Sequence, residues 1–443
     1  MNEPSMEQIR AFRLRGHHLD RIYPAETVLE AVGACGMQNT PPGAWENALY
    51  QRVPSCSLSR MEELLSGKRH AAEKPFPDKK PHPAGMLTED AVSRPDRTLQ
   101  PDRTLLQAWS LRGAPFVFPA SESPVFLSAL IPQEDEPWIY TRGITLALDF
   151  LGMEMEPFFE LLKQVIVRLD DAVIVGKNSL DQTLAGWMEP FLPEEKRQLW
   201  NRPSMYGEPD RQTVGGAVVS FLLRPCALEG LVVFGKRGPQ EPSFTSLRGW
   251  MGHSLPPDAQ AQKQAQKRLV RKYLHCYGPA TPAMLADWLG CSGKQARRLW
   301  AAVSEEMEEV QVCGKKAWIL SADHESLFSS PDFPRPFVLP AGYDPYLDQR
   351  DRQMICPEKE LQRKIWRTVA NPGVVLFQGR AVGIWSSRKK KDGLSVAVTL
   401  WQYEAGTGFP DEASAKRTLC EMAEAWAAFR GLSVRELKWE SGK

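Results

Sequence analysis

The chain has no long apolar run, no paired-cysteine motif and almost no net charge. No apolar run approaches the roughly 18 residues of a membrane-spanning helix, and the first residues lack the cationic-then-apolar pattern of a secretory signal. We therefore expect a soluble, cytoplasmic protein. The formal net charge is +1, from 55 basic and 54 acidic residues. Any attraction to nucleic acid must then come from local basic patches.

The eight cysteines are scattered along the chain. None stands in a Cys-x-x-Cys motif or at metal-ligand spacing from a histidine, which argues for reduced thiols and against structural zinc. His17 and His18 are adjacent, but neighbouring side chains point apart, so this pair predicts no metal site. We expect neither a metal nor a cofactor.

The 443 residues, 42% of them hydrophobic, suffice for about three or four domains at roughly 150 residues each or fewer. Residues 71–104 are rich in proline and charge and poor in aliphatic side chains, and "PDRTL" occurs twice, at 95–99 and 101–105. Such a segment buries too little apolar surface to offset its chain entropy. We expect an inserted linker that is dispensable for folding.

The N-terminal third predicts short helices followed by a strand. Residues 25–36 and 44–53 indicate two helices joined by a polar, proline-containing turn, 105–113 indicate a third helix, and 114–123 indicate a strand. This order is typical of a winged helix-turn-helix interrupted by the linker.

Residues 262–320 give the same order more clearly. Helices are predicted at 262–278, at 282–290 after the capping residue Thr281, and at 293–307 after the capping residue Ser292. Residues 308–320 then form two strands around a tight turn. Three helices and a hairpin are the winged-helix order.

The remaining segments complete an α+β chain. Residues 141–255 mix helices with strand-like runs. Residues 373–403 predict three antiparallel strands, with the first turn at Gln378-Gly379 and a basic hairpin tip at 386–393 as the second. A helix at 412–431 and a final strand at 432–439 indicate a small barrel or sheet. The predicted fold class is α+β, with tandem winged-helix domains followed by a small β-barrel, and the predicted domains are 1–140, 141–256, 257–330 and 331–443.

Five motifs, in order, resemble the winged-helix DNA-binding family that contains the crosslink-repair DNA glycosylases of the AlkZ/YcaQ type. They are "GACGMQNTPPG", "LQAWSLRGAPFVFP", "TVGGAVVSFLLRPCALEGLVVFGKR", "VLPAGYDPYLDQRDR" and "GVVLFQGRAVGIW". The resemblance covers nearly the whole chain outside 71–104. It implies winged helices and a barrel arranged around double-stranded DNA, and removal of N7-alkylated, including crosslinked, purines.

The resemblance also implies a catalytic pair two residues apart, Gln-x-Gln or Gln-x-Asp. Gln38 matches the first position, and Thr40 stands at the second, where the family has Gln or Asp. A glutamine transfers no proton at ordinary pH but can accept a hydrogen bond from water and orient it. Because an N7-alkylated purine is a cation with a weakened glycosidic bond, such a site fits cationic lesions. The alternative is a helix-ending turn whose Asn39 and Thr40 bond the local backbone.

Basic side chains are the predicted contacts to DNA, together with Asn39. They are Lys294, Arg297 and Arg298 on the helix at 293–307, and Arg388, Lys389, Lys390 and Lys391 on the basic hairpin. For the helix group, a solvated face or a face packed against a neighbouring domain is an equally simple explanation. For the hairpin group the alternative is a solvated loop, and we favour DNA contact slightly. The polar cluster at 343–352 either lines the cleft or forms buried Arg–Asp pairs, and we favour the pairs.

The sequence supports a monofunctional DNA glycosylase for bulky or crosslinked N7-alkylpurines, acting as a monomer. One alternative is a non-catalytic winged-helix DNA-binding protein, a regulator or lesion-binding factor, and the threonine at position 40 is its main support. A second alternative is a scaffold whose winged helices bind protein. Salt-dependent DNA affinity separates the scaffold from the other two, and release of free base separates the enzyme from the binding protein.

Overall fold

The structure is a computed structural model that describes residues 3–67, 92–93, 103–206, 210–238, 241–391, 393–401 and 408–441. It contains two compact units. The first unit comprises Met1–Met61, Lys267–Trp288 and Ala296–Lys443, and the second comprises Glu62–Gln266 and Leu289–Gln295. The division into four domains stays a prediction.

Helices and strands alternate in blocks along the described residues, which confirms the α+β class. The α-helices are, in chain order, α1 (Met6–Gly16), α2 (Val28–Gly33), α3 (Ala44–Arg52), α4 (Leu58–Ser66), α5 (Ser123–Phe126), α6 (Thr145–Leu151), α7 (Met155–Ile166), α8 (Lys177–Met188), α9 (Glu194–Trp200), α10 (Val214–Leu228), α11 (Leu247–Met251), α12 (Ala259–Tyr277), α13 (Pro282–Leu289), α14 (Gly293–Ala301), α15 (His324–Phe328), α16 (Lys359–Ile365) and α17 (Glu412–Phe429). Across the part of the chain that the structure describes, no helix combines the length and apolarity needed to cross a bilayer.

The strands are short at the N-terminal end of the chain and longer at the C-terminal end. In chain order they are β1 (Met37–Gln38), β2 (Val92–Ser93), β3 (Leu105–Trp109), β4 (Pro115–Pro119), β5 (Val173–Val175), β6 (Val233–Arg237), β7 (Pro242–Thr245), β8 (Met307–Val312), β9 (Lys315–Leu320), β10 (Phe337–Val338), β11 (Gly373–Phe377), β12 (Arg380–Lys390), β13 (Gly393–Leu400) and β14 (Val434–Ser441).

The second unit is built on an antiparallel sheet with the strand order β4-β3-β6-β7-β5-β2. Helices α7, α8 and α10 contribute to one core with it, in which Trp109 stacks on Phe244 at 5.4 Å and Phe158 on Trp200 at 5.3 Å. Burial of these large aromatic rings supplies much of the stabilisation of this unit.

The helix predicted at 105–113 is wrong, because Leu105–Trp109 is a strand that pairs with β4 and β6. Both faces of the strand are buried, and Leu105, Leu106 and Ala108 are 0% exposed. A continuous apolar run has no period that separates a buried strand from a buried helix. Pairing with the neighbouring strands therefore decides the conformation.

The predicted linker is shorter than expected at its C-terminal end. Val92 and Ser93 pair with β5, and Arg103 is 3% exposed, donating to the carbonyls of Ser66 (3.2 Å) and Trp250. The Arg103 guanidinium also lies 3.6 Å from the Trp250 ring centroid, a cation–π contact. The rest of the predicted linker, 71–91 and 94–102, lies outside the described residues.

The C-terminal part of the first unit is a sheet with the order β10-β11-β12-β13-β14. Its first four strands are antiparallel, and β14 returns parallel to β13 after the crossover helix α17, as a parallel pair requires. Within the described residues the sheet is open, with β10 and β14 as its edges, so the predicted small β-barrel is not closed. Helix α17 covers one face, where Trp426 meets Trp385 edge-on at 5.1 Å.

Helices α12, α13 and α14 are followed by the hairpin β8-β9, in the predicted order. Both predicted caps are present, with the Met284 amide donating to Thr281 Oγ1 at 3.3 Å and the Gln295 amide to Ser292 Oγ at 3.1 Å. Helix α14 ends at Ala301, several residues earlier than predicted, because the chain turns and enters β8 at Met307. The finer winged-helix arrangement stays a prediction.

Candidate active site

The turn that holds the predicted catalytic pair lies between α2 and α3 in the first unit. Gly36 and Gly43 open and close it with positive φ angles of 72° and 91°, a region that glycine enters without a steric penalty. Between them, Asn39 is 6% exposed, and its Oδ1 accepts the Gly43 N–H at 2.8 Å. For Asn39 the local-backbone interpretation is therefore confirmed, and its predicted contact to DNA stays a prediction.

Gln38 and Thr40 face different environments on this turn. Gln38 is half-buried and Thr40 is exposed. Gln38 Nε2 donates to the Thr40 carbonyl oxygen at 3.3 Å, a long but acceptable hydrogen bond. With Nε2 engaged as the donor, Oε1 is the acceptor end of the amide. The backbone of the turn thus sets the orientation of the side chain proposed to bind water.

A buried ion pair anchors the helix that leaves the turn. Arg52, at the end of α3, donates to both carboxylate oxygens of Asp344 at 2.8 and 2.9 Å, and the two side chains are 1% and 0% exposed. Arg52 also donates to the carbonyls of Ala48 (2.6 Å) and His17 (2.7 Å). Burial acts to lower the pKa of Arg52, but the Asp344 carboxylate outweighs it and the pKa is raised.

A second buried pair lies in the same unit. Arg13 donates to both oxygens of Asp351 at 2.8 Å and to Gln349 Oε1 at 2.6 Å. Burial opposes the charge on Arg13, yet Asp351 leaves the Arg13 pKa above its ordinary value. The favoured interpretation of the 343–352 segment, buried Arg–Asp pairing, is confirmed for Asp344 and Asp351.

Three metal-ligand side chains converge just before the turn. His17, Cys35 and Cys276 are 1%, 4% and 0% exposed, and their donor atoms all lie within 4.8 Å of one another. Hydrogen bonding from Cys276 holds the pKa of the Cys35 thiol well below its ordinary value, against the effect of burial. The same contact raises the pKa of Cys276. The sequence predicted no metal site, and its spacing did not reveal this cluster.

The predicted basic residues of α14 are solvent-accessible. Lys294 and Arg297 are exposed and lie about one turn apart, and Arg298 is half-buried. Lys294 forms an ion pair with Asp135, with both side chains more than half exposed. An exposed pair of this kind contributes about 0–1 kcal/mol, so a phosphate can compete with Asp135 for Lys294. DNA contact by α14 stays a prediction.

The basic hairpin is a longer ladder than predicted. Strand β12 continues to Lys390, and residues 386–390 pair with 393–397, so the predicted tip at 386–393 is wrong and the turn is only two residues long. Arg388, Lys389, Lys390 and Lys391 are all exposed. Because side chains alternate along a strand, Lys390 shares a face with Arg388, and it pairs with Glu436 at 3.1 Å.

The sequence pattern assigned no functional role to five buried residues of the first unit. Arg13, Arg52, His17, Cys35 and Cys276 act through partners that lie far from them in the sequence. A buried charged side chain carries no signal in the chain other than an apolar neighbourhood. In α1, "AFRLRGHH" places Arg13 between Phe12 and Leu14, and this was the only available sign that Arg13 is buried.

The family model of the DNA glycosylases described as AlkZ-like matches residues 92–429, well over half of the chain. The chain is therefore a DNA glycosylase, a hydrolase of the N-glycosidic bond. It belongs to the AlkZ-like family, which confirms the resemblance found in the sequence. The matched residues begin after the turn at 38–40, so the match does not bear on Gln38 or Thr40.

Two comparisons point to the same group of proteins. The chain is 25% identical over 297 residues to an interstrand DNA cross-link repair glycosylase of Streptomyces sahachiroi, covering 64% of this chain and 71% of that protein. The solved structure of the Streptomyces sahachiroi DNA glycosylase AlkZ aligns over 100% of both chains with a TM-score of 0.67 at 20% identity. The second comparison shows a shared fold.

Proposed function

We propose that this chain is a monofunctional glycosylase that removes bulky or crosslinked N7-alkylpurines from double-stranded DNA. Membership of the AlkZ-like family and similarity to a glycosylase named for interstrand cross-link repair support this proposal. The observation that carries it is the half-buried Gln38 side chain, whose Nε2 donates to the Thr40 carbonyl oxygen within the turn.

The polar groups of the turn suit the chemistry of a cationic lesion. Residues 36–43 contain no carboxylate and no histidine, so the turn itself supplies no general acid to protonate a departing neutral base. An N7-alkylated purine already carries a positive charge and leaves as a neutral base when the C1′–N9 bond breaks. Gln38 Oε1 accepts a hydrogen bond from the water that attacks C1′, and the Thr40 hydroxyl assists in holding that water.

The loss of rate expected when the Gln38 amide is removed follows from its role. Removing one polar group that positions a reactant in the transition state costs about 2–4 kcal/mol. That free energy corresponds to roughly 30-fold to 1000-fold in rate. Because the cationic base is already activated to leave, the uncatalysed barrier is lower than for a neutral base, and a modest contribution from one oriented amide is useful.

The proposed contacts to the DNA backbone lie on other elements. We assign phosphate contacts to Lys294, Arg297 and Arg298 on α14 and to residues 388–391 on β12 and its turn, because these cations are exposed or half-exposed and can neutralise phosphates. The order of helices and hairpins supports tandem winged helices as the framework for these contacts. The proposed location is the cytoplasm.

A non-catalytic DNA-binding protein is the second candidate, and Thr40 is the observation that favours it. A threonine cannot place the negative charge of an aspartate beside an oxocarbenium-like transition state. In that case the turn at 38–40 contacts bound DNA, and the chain covers lesions without hydrolysing the glycosidic bond.

The experiment that separates these candidates uses oligonucleotide duplexes that differ only in one guanine adduct. We expect the purified chain to release free base from N7-methylguanine and from bulkier N7 adducts, detected by chromatography and by alkaline cleavage of the abasic strand. An O6-methylguanine duplex, whose base is neutral, should remain intact. Tight binding to all N7-adduct duplexes without release of any base would establish the non-catalytic candidate and overturn the proposal.

A further inference from the structure

We propose that His17, Cys35 and Cys276 form a site for one thiophilic divalent cation of the zinc class, which ties together the segments beneath the turn at 36–43. The three residues come from the C-terminal end of α1, the segment after α2, and the last turn of α12. The proposal concerns the first unit and does not depend on glycosylase activity.

The distances fit a tetrahedral ion after a small contraction. Zinc lies about 2.3 Å from a thiolate sulfur and about 2.0 Å from an imidazole nitrogen, which sets edges of about 3.5 Å between sulfur and nitrogen and about 3.8 Å between two sulfurs. Cys35 Sγ lies 3.7 Å from His17 Nδ1, and no two of the three donor atoms are more than 4.8 Å apart. Movements of at most about 1 Å close the shell.

Charge balance selects the class of cation. Two thiolates and a neutral imidazole around a divalent ion give no net charge, which suits a site whose ligands are at least 96% buried. A monovalent copper ion would leave one negative charge buried. Hard cations such as magnesium and calcium prefer oxygen ligands, and the cluster of three donors contains no carboxylate.

The ligand set is held in place before any ion arrives. The His17 ring meets the rings of Tyr277 and Tyr346 edge-on, at 4.7 and 5.6 Å, which fixes its orientation. The Tyr277 hydroxyl lies 3.8 Å from Cys35 Sγ and donates to the Pro345 carbonyl at 2.9 Å. It lies beside the Cys35 sulfur and outside the set of three donors.

The alternative is a set of packed thiols with weak hydrogen bonds. Cys276 Sγ donates to the carbonyls of Gly16 and Ala34 at 3.4 and 3.5 Å, and a thiol is a weak donor. His17 Nε2 is buried without a hydrogen-bond partner. Thiol packing alone therefore stabilises this cluster little, whereas metal–thiolate bonds contribute folding free energy directly.

Cobalt(II) is the probe, because its bonds to thiolate absorb in the near ultraviolet and its four-coordinate complexes absorb strongly in the visible range. The reduced, chelator-treated full chain is titrated with Co²⁺ and then with Zn²⁺. We expect one Co²⁺ per chain, with thiolate charge-transfer absorption that Zn²⁺ abolishes. A folded parent chain without this absorption would overturn the site.

Variants assign the signal to the cluster. Cys276→Ala and His17→Gln should lose the charge-transfer band, and Cys356→Ala, which removes another buried cysteine of the same unit, should keep it. If Cys276→Ala fails to fold, His17→Gln decides, since it keeps both thiols. Retention of the band in His17→Gln would overturn the site.

Discussion

Replacing Asp344 by Asn is expected to destabilise the first unit strongly, because it leaves the Arg52 charge buried without a counter-charge. Both side chains are at most 1% exposed and share two hydrogen bonds of 2.8 and 2.9 Å. Removing one partner of a buried pair costs about 3–5 kcal/mol. Arg52 keeps its bonds to the carbonyls of Ala48 and His17, and the new amide oxygen still accepts one bond. We therefore expect the lower end, about 3 kcal/mol.

Hydrogen exchange followed by mass spectrometry is the suitable assay, since it reports each compact unit separately. Exchange should accelerate in α3 and the turn before it, and peptides of α8 and α10 in the second unit should be unchanged. The matched control is Glu309→Gln, whose partner Lys316 lies 3.1 Å away, with the two side chains 35% and 66% exposed, and which should cost about 0–1 kcal/mol. If Asp344→Asn exchanges no faster than this control, the pair does not anchor α3.

Two further predictions concern surface charges. Lys389→Ala should lower the slope of log DNA affinity against log salt concentration by about 0.9, the value for one phosphate contact. Lys390→Ala should lower this slope less, because Glu436 already pairs with Lys390. Unchanged slopes in both variants would place the hairpin away from DNA. Hydrogen bonds from Arg271 lower the pKa of Glu306, so this pair adds stability above the unfolded value of about 4.3 and loses it as pH falls through the folded value. Urea unfolding should show Glu306→Gln less stable by about 0.5 kcal/mol at pH 7 and equal to the parent near pH 2, and a pH-independent difference would contradict this.

Local signals in the sequence predicted the elements whose boundaries depend on neighbouring residues. Thr281 and Ser292 cap helices because their hydroxyl oxygens accept hydrogen bonds from amides three residues ahead. This spacing can be read directly from the sequence. The turn at Gln378 and Gly379, with φ angles of 48° and 73°, is likewise local. The apolar run at 105–113 has no such signal, and only its strand partners decide its conformation.

The candidate site could be predicted only in part for the same reason. Gln38 and Thr40 are identified by their motif, and their contact spans two residues. The cluster of His17, Cys35 and Cys276 joins residues more than 240 positions apart, so no spacing rule finds it. Burial of Arg52 depends on Asp344 in the same way, because its counter-charge comes from a distant segment that the fold brings close.

The most direct test of the central claim is the single-turnover rate of base release from an N7-methylguanine duplex, compared between the parent chain and Gln38→Ala. Gln264→Ala, which changes an exposed glutamine on α12, is the matched control. We predict that Gln38→Ala slows release by about 30-fold to 1000-fold while the DNA affinity and the thermal transition stay close to those of the parent, and that Gln264→Ala matches the parent. Release by Gln38→Ala at the parent rate would contradict the assignment of the turn as the catalytic site.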